Sequence, residues 1–194
     1  MSDPPFIERL SAVAPRYRAL LCDAWGVIHD GVTLFPGAAD AMRRFRAERG
    51  PVIILTNAPR PSSAIPAQLD RFGLPRDDYD AVVTTGDAAR AEIAARLPAA
   101  AYRIGPAKDD GLFEGLGARF APLTEASFIV CSGLNDEIGE SPDDYRGLLS
   151  EAAARALPMV CANPDVVVRW GGRLILCAGA LAQLYESLGG PVIY

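Results

Sequence analysis

Five short apolar runs recur along the chain, and each of them ends in small polar or acidic residues. Continuous apolar runs of this length, as opposed to alternating ones, are typical of strands that are covered on both faces. The pattern therefore predicts a sheet of mainly parallel strands. The runs occupy residues 19–23, 52–57, 81–85, 128–132 and 159–163.

Between these runs the apolar residues recur with helical spacing. The segment 38–49 places its apolar residues on one face and is closed by Gly50, whereas the segment 87–97 opens with Asp87, an acidic residue suited to a helix N-cap. Alternation of strand and helix predicts an α/β fold. In such folds the chemistry lies at the carboxyl ends of the strands, where the polar endings of the five runs would meet.

The composition excludes several classes of protein. The chain has 194 residues, of which 50% are apolar and 22% are charged, so it can form a full hydrophobic core. Its 24 acidic residues against 19 basic ones give a formal charge of −5 and offer no basic surface for nucleic acid. No apolar run approaches the ~20 residues of a membrane span, and residues 1–5 lack the charged start of a signal peptide. We therefore expect a cytoplasmic protein that binds neither nucleic acid nor membrane.

The four cysteines occur singly inside apolar segments, without the paired spacing of a zinc site. We expect buried, reduced thiols, in keeping with a cytoplasmic protein. They are Cys22, Cys131, Cys161 and Cys177.

Two strand endings carry candidate chemistry. The first predicted strand runs directly into Asp23 and a glycine-containing turn, and the second ends with Thr56 and Asn57. A hydroxyl and an amide at that place can donate hydrogen bonds to a phosphoryl oxygen without adding a charge. Each feature also has a purely structural explanation, because an aspartate after a strand often begins a turn and Thr-Asn often caps a helix. The residues alone leave both explanations open.

Together and in this order, the two endings resemble the first two motifs of the haloacid dehalogenase-like phosphohydrolases, and more narrowly those of subfamily IIA, the NagD-like phosphatases. The resemblance extends from about residue 18 onward. It is supported by Pro36-Gly37-Ala38, Thr85-Gly86-Asp87-Ala88, Asn163-Pro164-Asp165 and Gly179-Ala180-Leu181. It implies a Rossmann-like core with a mainly parallel sheet and an inserted α/β cap domain.

The resemblance implies a role for each residue of the two motifs. Asp23 would be the nucleophile that forms an aspartyl-phosphate, which water then hydrolyses. The Asp23 carboxylate and the backbone carbonyl of Trp25 would hold Mg²⁺, which offsets the repulsion between carboxylate and phosphate. The backbone amides of Trp25 and Gly26, together with the side chains of Thr56 and Asn57, would bind the transferring oxygens.

The residue two positions after the nucleophile departs from the family pattern. Most phosphatases of the superfamily carry an aspartate there, which protonates the leaving oxygen, whereas this chain has Trp25. A general acid is typically worth ~10²–10⁴-fold in rate, so its loss predicts a slow enzyme, a substrate with a good leaving group or a replacement acid. His29, the only histidine, is one candidate replacement, and it can equally face the cap or pack inside.

The cap is expected to provide the substrate contacts. The predicted domains are residues 1–86 for the N-terminal part of the core, 87–176 for the cap and 177–194 for a return to the core. Substrate candidates follow the last predicted cap strand, in a run that can equally be a simple turn. They are Asn163, Asp165, Arg169 and Trp170, with Arg60 as a phosphate contact from the core side.

The family also uses a lysine and further aspartates that follow the cap. The only lysine of the chain, Lys108, lies inside the predicted cap, where a surface position is expected. We therefore expect a truncated form that lacks the C-terminal part of the core. Such a form would have little activity, and its uncovered apolar sheet face would favour self-association into homo-oligomers.

The sequence favours a magnesium-dependent phosphatase that acts on a small phosphorylated metabolite, such as a sugar phosphate or a nucleotide. A catalytically weakened phosphate-binding or regulatory protein of the same fold is the alternative, since Trp25 replaces the acid. A dinucleotide-binding domain is disfavoured, because residues 26–31 lack the G-x-G-x-x-G spacing.

Overall fold

The computed structural model describes residues 6–194. The expectation that the chain begins without a signal peptide concerns residues 1–5 and lies outside this range. The described residues form a three-stranded parallel sheet, a five-stranded parallel sheet and a two-stranded antiparallel hairpin. The predicted α/β class with mainly parallel strands is therefore confirmed.

Strands and helices alternate up to residue 104, as the apolar runs predict, whereas further along the chain some strands follow one another without an α-helix between them. The strands are β1 (Leu20–Asp23), β2 (Val52–Thr56), β3 (Ala81–Thr84), β4 (Ala100–Ile104), β5 (Arg119–Phe120), β6 (Phe128–Cys131), β7 (Met159–Cys161), β8 (Val167–Trp170), β9 (Arg173–Leu176) and β10 (Val192–Ile193). The helices are α1 (Ala38–Glu48), α2 (Ile65–Phe72), α3 (Thr85–Ala94), α4 (Arg146–Ala154) and α5 (Ala178–Ser187).

The first sheet has the order β1-β2-β3 and packs one face against α1 and α2. Ile54 of β2 and Leu69 of α2 are fully buried, and Phe45 of α1 is 4% exposed in the same cluster. Helix α2 was not predicted from the sequence. Pro66 lies in the first turn of α2, where its missing N–H would have no partner anyway.

The other face of the first sheet is open to solvent. Leu21, Leu55 and Val83 lie there with exposed fractions of 61%, 38% and 50%, and Asp23 stands next to Leu55 in the register. The apolar side chains of the helices pack with residues such as Ile54 on the opposite face. Within the described residues, the prediction of an uncovered apolar face is met, and the prediction that these strands are covered on both faces is wrong.

The second sheet has the order β10-β7-β6-β4-β5 and is covered on both faces. Leu149 of α4 and Leu181 of α5 pack with Ile129 on one face, whereas Ile93 of α3 packs with Phe128 on the other. All residues of β6 are buried, as its continuous apolar run predicts. This doubly covered sheet forms a lobe of its own.

Residues 177–194 belong to the second sheet, and this corrects their predicted return to the first. β10 pairs in parallel with β7, so that Val192 stands opposite Met159. Tyr185 of α5 is fully buried, and its hydroxyl donates a hydrogen bond to the carbonyl of Leu157 at 2.6 Å. The apolar face of α5 thus finds its partners in the second sheet.

We call the first sheet with α1 and α2 the first lobe, and the second sheet with α3, α4 and α5 the second lobe. The junction between them is the N-terminus of α3, where the Thr84 hydroxyl accepts a hydrogen bond from the Asp87 amide at 3.0 Å. Thr84 is therefore the N-cap, in place of the predicted Asp87. The Asp87 carboxylate instead accepts a hydrogen bond from the Ser62 amide at 3.1 Å, and this bond connects the loop after β2 to α3.

The hairpin of β8 and β9 extends from the second lobe towards the first. Its turn contains Gly171, which has a φ of +54° and whose amide donates to the Asp30 carbonyl at 3.1 Å. The sequence analysis did not predict this hairpin.

The cysteines and the helix lengths agree with what the composition predicts. Each of the four cysteines is a free thiol; three are buried and Cys22 is partly buried. Among residues 6–194, no helix has both the length and the apolar character that crossing a membrane requires.

Candidate functional site

A cavity of about 880 Å³ lies between the carboxyl ends of the two parallel sheets. Strands β1 and β2 bound it from the first lobe, and the loops after β4, β6 and β7 bound it from the second. The structure brings all the predicted site residues to its wall. They are Asp23, Trp25, Gly26, Thr56, Asn57, Arg60, Asn163, Asp165 and Arg169.

Asp23 is the last residue of β1 and projects from the end of the sheet into this cavity. Its Oδ1 accepts a hydrogen bond from the Ala24 amide at 2.8 Å. Partial burial raises the pKa of Asp23, and the charge of Asp165 raises it further, whereas the Ala24 amide lowers it. The carboxylate therefore carries a negative charge that its surroundings compensate only in part.

Asn57 and Asp165 connect the two lobes beside Asp23. The Asn57 side chain donates from Nδ2 to Oδ1 of Asp165 at 2.9 Å. Asn163 Oδ1 accepts the Asp165 amide at 3.1 Å, so the segment is a turn and a part of the cavity wall at the same time. Gly179 packs behind this turn, since a Cβ there would lie 2.2 Å from the Pro164 carbonyl oxygen.

The turn after β1 uses one of the predicted phosphate donors internally. The Gly26 amide donates to the carbonyl of His29 at 2.8 Å, so it is not available to a phosphoryl oxygen in this conformation. The phosphate-binding role predicted for this amide is therefore not supported. In the loop after β2, the Thr56 hydroxyl accepts a hydrogen bond from the Ala58 amide at 3.3 Å. Its own proton can therefore still be donated to another acceptor.

Trp25 holds the hairpin against the first lobe. Its indole Nε1 donates to the Arg169 carbonyl at 2.7 Å, and the indole of Trp170 donates to the Gly31 carbonyl at 3.3 Å. Arg169 thus contributes its backbone to this contact, although its side chain was the predicted ligand-binding group. This contact was not predictable from local sequence patterns, because it joins residues that are 144 positions apart in the chain.

His29 packs inside the first lobe. It is 3% exposed, its Nδ1 accepts the Gly31 amide at 3.0 Å, and its ring centroid lies 4.5 Å from that of Phe72 and 5.4 Å from that of Trp25. Burial lowers the pKa of His29, which the nearby Asp30 offsets in part. Of the alternatives for His29, the structure favours packing over replacement of the acid.

The second lobe adds charged residues that the sequence analysis did not assign to the site. Lys108 lies in the predicted lobe with an exposed side chain, as expected, and it pairs with Glu137 at the rim of the cavity. Arg60 donates to Gln68 at 3.2 Å, and its Nε lies 3.6 Å from Oδ1 of Asp109. The rule that placed chemistry at the ends of β1 and β2 applies equally to the ends of β4 and β6, and it would have found these residues.

The donor set at Asp23 is compatible with Mg²⁺. No cluster of three or more His, Cys, Asp or Glu side chains suited to a metal ion occurs among residues 6–194. Magnesium, however, is usually bound through one or two carboxylates and keeps several waters. The incompletely compensated charge of Asp23, with Asp165 nearby, meets this requirement.

The two lobes, with a carboxylate at the end of the first strand and a cavity beneath a second α/β lobe, define an α/β protein whose site lies at the carboxyl ends of its parallel strands. The family model described as haloacid dehalogenase-like hydrolase matches residues 20–119. A haloacid dehalogenase-like family hydrolase from Brucella suis 1330 is 43% identical, with a TM-score of 0.92 over 97% of this chain and 72% of its own. The chain therefore belongs to the haloacid dehalogenase-like hydrolases, as its motifs predicted.

Two more distant structures share the fold. A p-nitrophenyl phosphatase from Archaeoglobus fulgidus is 22% identical, with a TM-score of 0.67 over 90% of this chain and 67% of its own. NagD from Escherichia coli K-12 is 19% identical, with a TM-score of 0.62 over 91% of this chain and 68% of its own. None of the curated proteins matches the chain.

Proposed function

We propose that this protein is a magnesium-dependent phosphatase of a small phosphorylated metabolite, with Asp23 as the nucleophile. The observation that carries the proposal is the Asp23 carboxylate at the carboxyl end of β1, open to a cavity of substrate size between two lobes. The name of the p-nitrophenyl phosphatase, whose fold this chain shares, supports the reaction class.

Asp23 has one oxygen that is held and one that can react. Because Oδ1 accepts the Ala24 amide, the carboxylate is oriented and Oδ2 is the attacking atom. Oδ2 forms a bond to phosphorus while the bond to the leaving oxygen breaks, and water then cleaves the aspartyl-phosphate. Each of the two displacements has a lower barrier than direct attack by water.

The side chains at the end of β2 bind and orient the phosphoryl group. Thr56 can donate its hydroxyl proton, and Asn57 has a second amide proton besides the one that Asp165 accepts. Arg60 adds a positive charge from the same loop. Donors fixed by the fold stabilise developing negative charge without reorganisation, which is the main contribution expected in phosphoryl transfer.

The Asp23 carboxylate and the Trp25 carbonyl would hold Mg²⁺, which when bound neutralises the repulsion between the carboxylate and the phosphate. Trp25 itself has no acid proton, and its indole N–H is used in the contact with Arg169. The leaving oxygen therefore departs without help from this position, so substrates with good leaving groups are favoured. The four free thiols support a reducing, cytoplasmic location.

The test compares hydrolysis of nitrophenyl phosphate and a panel of sugar phosphates and nucleotides, with magnesium, by the protein and its Asp23→Asn variant. We expect turnover that Asp23→Asn lowers at least about 10³-fold. Asp40→Asn, on the exposed side of α1, is the matched control. No turnover on any compound would contradict the proposal.

The alternative is a phosphate-binding or regulatory protein, which the tryptophan at position 25 favours. Beryllofluoride mimics a phosphoryl group on a carboxylate, so it distinguishes the two functions. Thermal stabilisation by beryllofluoride and magnesium without turnover of any compound would support the alternative.

A further inference from the structure

Arg60, in the loop after β2, contacts the second lobe through both its backbone and its side chain. The first turn of α3 packs on the backbone, since a Cβ on Gly86 would lie 2.1 Å from the Arg60 carbonyl oxygen. The Arg60 Nε lies 3.6 Å from Oδ1 of Asp109, in the segment after β4. Within the first lobe, Nη1 donates to Gln68 at 3.2 Å. The guanidinium is therefore oriented by both lobes.

Asp109 is a buried carboxylate, with an exposed fraction of 1%. A buried carboxylate is costly unless cations or hydrogen-bond donors stabilise its charge. Burial raises the pKa of Asp109, whereas the charges of Lys108 and Arg60 and a hydrogen bond from the Ser132 hydroxyl lower it. The charge of Glu137, which is paired with Lys108, raises this pKa again. Arg60 thus stabilises the carboxylate, and the carboxylate in turn attracts the guanidinium.

The second lobe holds the Asp109 side chain in a fixed place. The Asp109 amide donates to the Pro106 carbonyl at 3.1 Å, and the Ser132 amide donates to the Ile104 carbonyl at 2.9 Å. Gly105 leaves room for the Ser132 hydroxyl, because a Cβ at this position would lie 2.0 Å from it. A carboxylate that is buried and fixed in this way orients a neighbouring side chain better than an exposed one does.

The contacts of Arg60 leave one end of its guanidinium for a ligand. Nε faces Asp109 and Nη1 donates to Gln68, so Nη2 is the group that can bind a phosphoryl oxygen. All three side chains line the cavity. An arginine that is already ordered loses less side-chain entropy when it binds an anion. The support from Asp109 therefore favours the binding of phosphate by Arg60.

We propose that Asp109 is a positioning residue, which orients the Arg60 guanidinium so that Nη2 binds the phosphoryl group. In this role Asp109 acts only through Arg60. Because the two residues belong to different lobes, phosphate binds tightly only when the second lobe lies against the loop after β2. The inference rests on the proposed phosphatase function and adds a residue of the second lobe to its phosphate site.

The test measures the dissociation constant of inorganic phosphate by calorimetry, in the presence of magnesium. We expect Asp109→Asn, which keeps the size of the side chain but removes its charge, to weaken binding about 10-fold. Arg60→Gln should weaken binding at least as much, and adding Asp109→Asn to it should cause no further loss. Asp110→Asn, in the same segment but paired with Arg103 at the surface, is the matched control and should leave binding unchanged.

A second variant tests the same contact without altering the buried residue. Arg60→Lys keeps the positive charge but lacks the planar fork that contacts a carboxylate and a phosphoryl oxygen at the same time. We expect it to weaken phosphate binding about 10-fold as well. Binding as tight as in the unmodified protein would show that a charge alone is sufficient, and would overturn the positioning role.

Steady-state assays with nitrophenyl phosphate distinguish positioning of Arg60 from a general disturbance of the site. The loss in Asp109→Asn should fall mainly on KM, since the guanidinium contacts the phosphate in the bound substrate as well as in the transition state. A loss that falls mainly on kcat would indicate displacement of Asp23 and would overturn the inference.

The calorimetric measurement keeps this inference separate from the proposed function, because it needs no turnover. Coupled losses in the single and double variants support the positioning role even if no phosphate ester is hydrolysed. Additive losses, or no binding of phosphate by the unmodified protein, would overturn it even if turnover is found.

Discussion

The indole nitrogen of Trp25 donates a hydrogen bond to the backbone carbonyl of Arg169, 2.7 Å away and 144 positions along the chain. The indole of Trp170 donates in the opposite direction, to the Gly31 carbonyl. Two tryptophans therefore hold the β8–β9 hairpin over the turn that follows Asp23. The residue at the place of the usual acid anchors a part of the cavity wall.

Replacing Trp25 by phenylalanine tests this anchor. Trp25→Phe keeps an aromatic ring but removes the N–H, so the Arg169 carbonyl loses its donor. We expect faster amide hydrogen exchange in residues 167–176, by a factor that corresponds to about 0.5–1.5 kcal/mol, and unchanged exchange in β6. Unchanged exchange in the hairpin would contradict the anchoring role.

Replacing Trp25 by aspartate tests the chemical consequence of the missing acid. Trp25→Asp places a carboxyl group two positions after Asp23, where an acid can protonate the leaving oxygen. Alkyl phosphates need this proton more than nitrophenyl phosphate does. We expect kcat for an alkyl phosphate to rise about 10-fold relative to nitrophenyl phosphate, measured in steady-state assays. An equal change for both substrates would count against our explanation of the leaving-group preference.

Gly31 lies where the two tryptophans meet, and a larger residue there has no space. Its φ is +87°, and a Cβ would lie 2.5 Å from side-chain atoms of Trp25 and Trp170. Gly31→Ala should therefore lose about 2–4 kcal/mol of stability, the sum of backbone strain and steric overlap. Chemical denaturation measures this loss.

Gly37 provides the matched control for this substitution. It has a similar φ of +81°, but a Cβ there would meet nothing within 4 Å. Gly37→Ala should lose only the backbone component, about 1–2 kcal/mol. If both variants lose the same stability, the tryptophans do not enclose position 31 as described.

The parts of the fold that the sequence predicts are those fixed by local pattern and burial. The apolar run that ends at Cys131 is a strand because every side chain in it is buried between helices. The meeting of Asp23, Asn57 and Asp165 was predictable too, since carboxyl ends of parallel strands converge.

The features that the sequence does not predict depend on contacts between distant residues. Trp170 is exposed and belongs to a short strand, which exists because Trp25 and Gly31 hold it from the other lobe. The position of α5 depends on which sheet provides the hydrogen-bond acceptor for Tyr185, which is the Leu157 carbonyl. The spacing of apolar residues along a helix does not specify which sheet the helix packs against. The use of the Gly26 amide by His29 likewise follows from the exact path of one turn.

Burial of His29 predicts a loss of stability in mild acid. Its pKa is lowered in the folded state, so below about pH 6.5 the unfolded chain binds more protons and unfolding becomes more favourable. The slope is at most about 1.4 kcal/mol per pH unit for one proton. Burial raises the pKa of Asp23 and of Asp109, so these two groups change the free energy of unfolding with pH in the opposite direction. A variant is therefore needed to isolate the contribution of the histidine.

His29→Asn is that variant, because an asparagine oxygen can still accept the Gly31 amide. We expect the melting temperature to fall less between pH 7.5 and 5.5 in His29→Asn than in the unmodified protein. Equal falls in both proteins would show that the buried imidazole does not control acid stability.

The open face of the first sheet predicts self-association of this chain. Leu21, Leu55 and Val83 form a contiguous apolar surface on neighbouring strands, and such surfaces favour association in water. We expect sedimentation equilibrium to give an average mass that rises with protein concentration. The double substitution Leu21→Thr and Val83→Thr, which retains residues suited to strands, should shift the protein towards the monomer. Val32→Thr, at an exposed position outside the sheet, should leave the association unchanged, whereas a monomer at all concentrations before any substitution would refute the prediction.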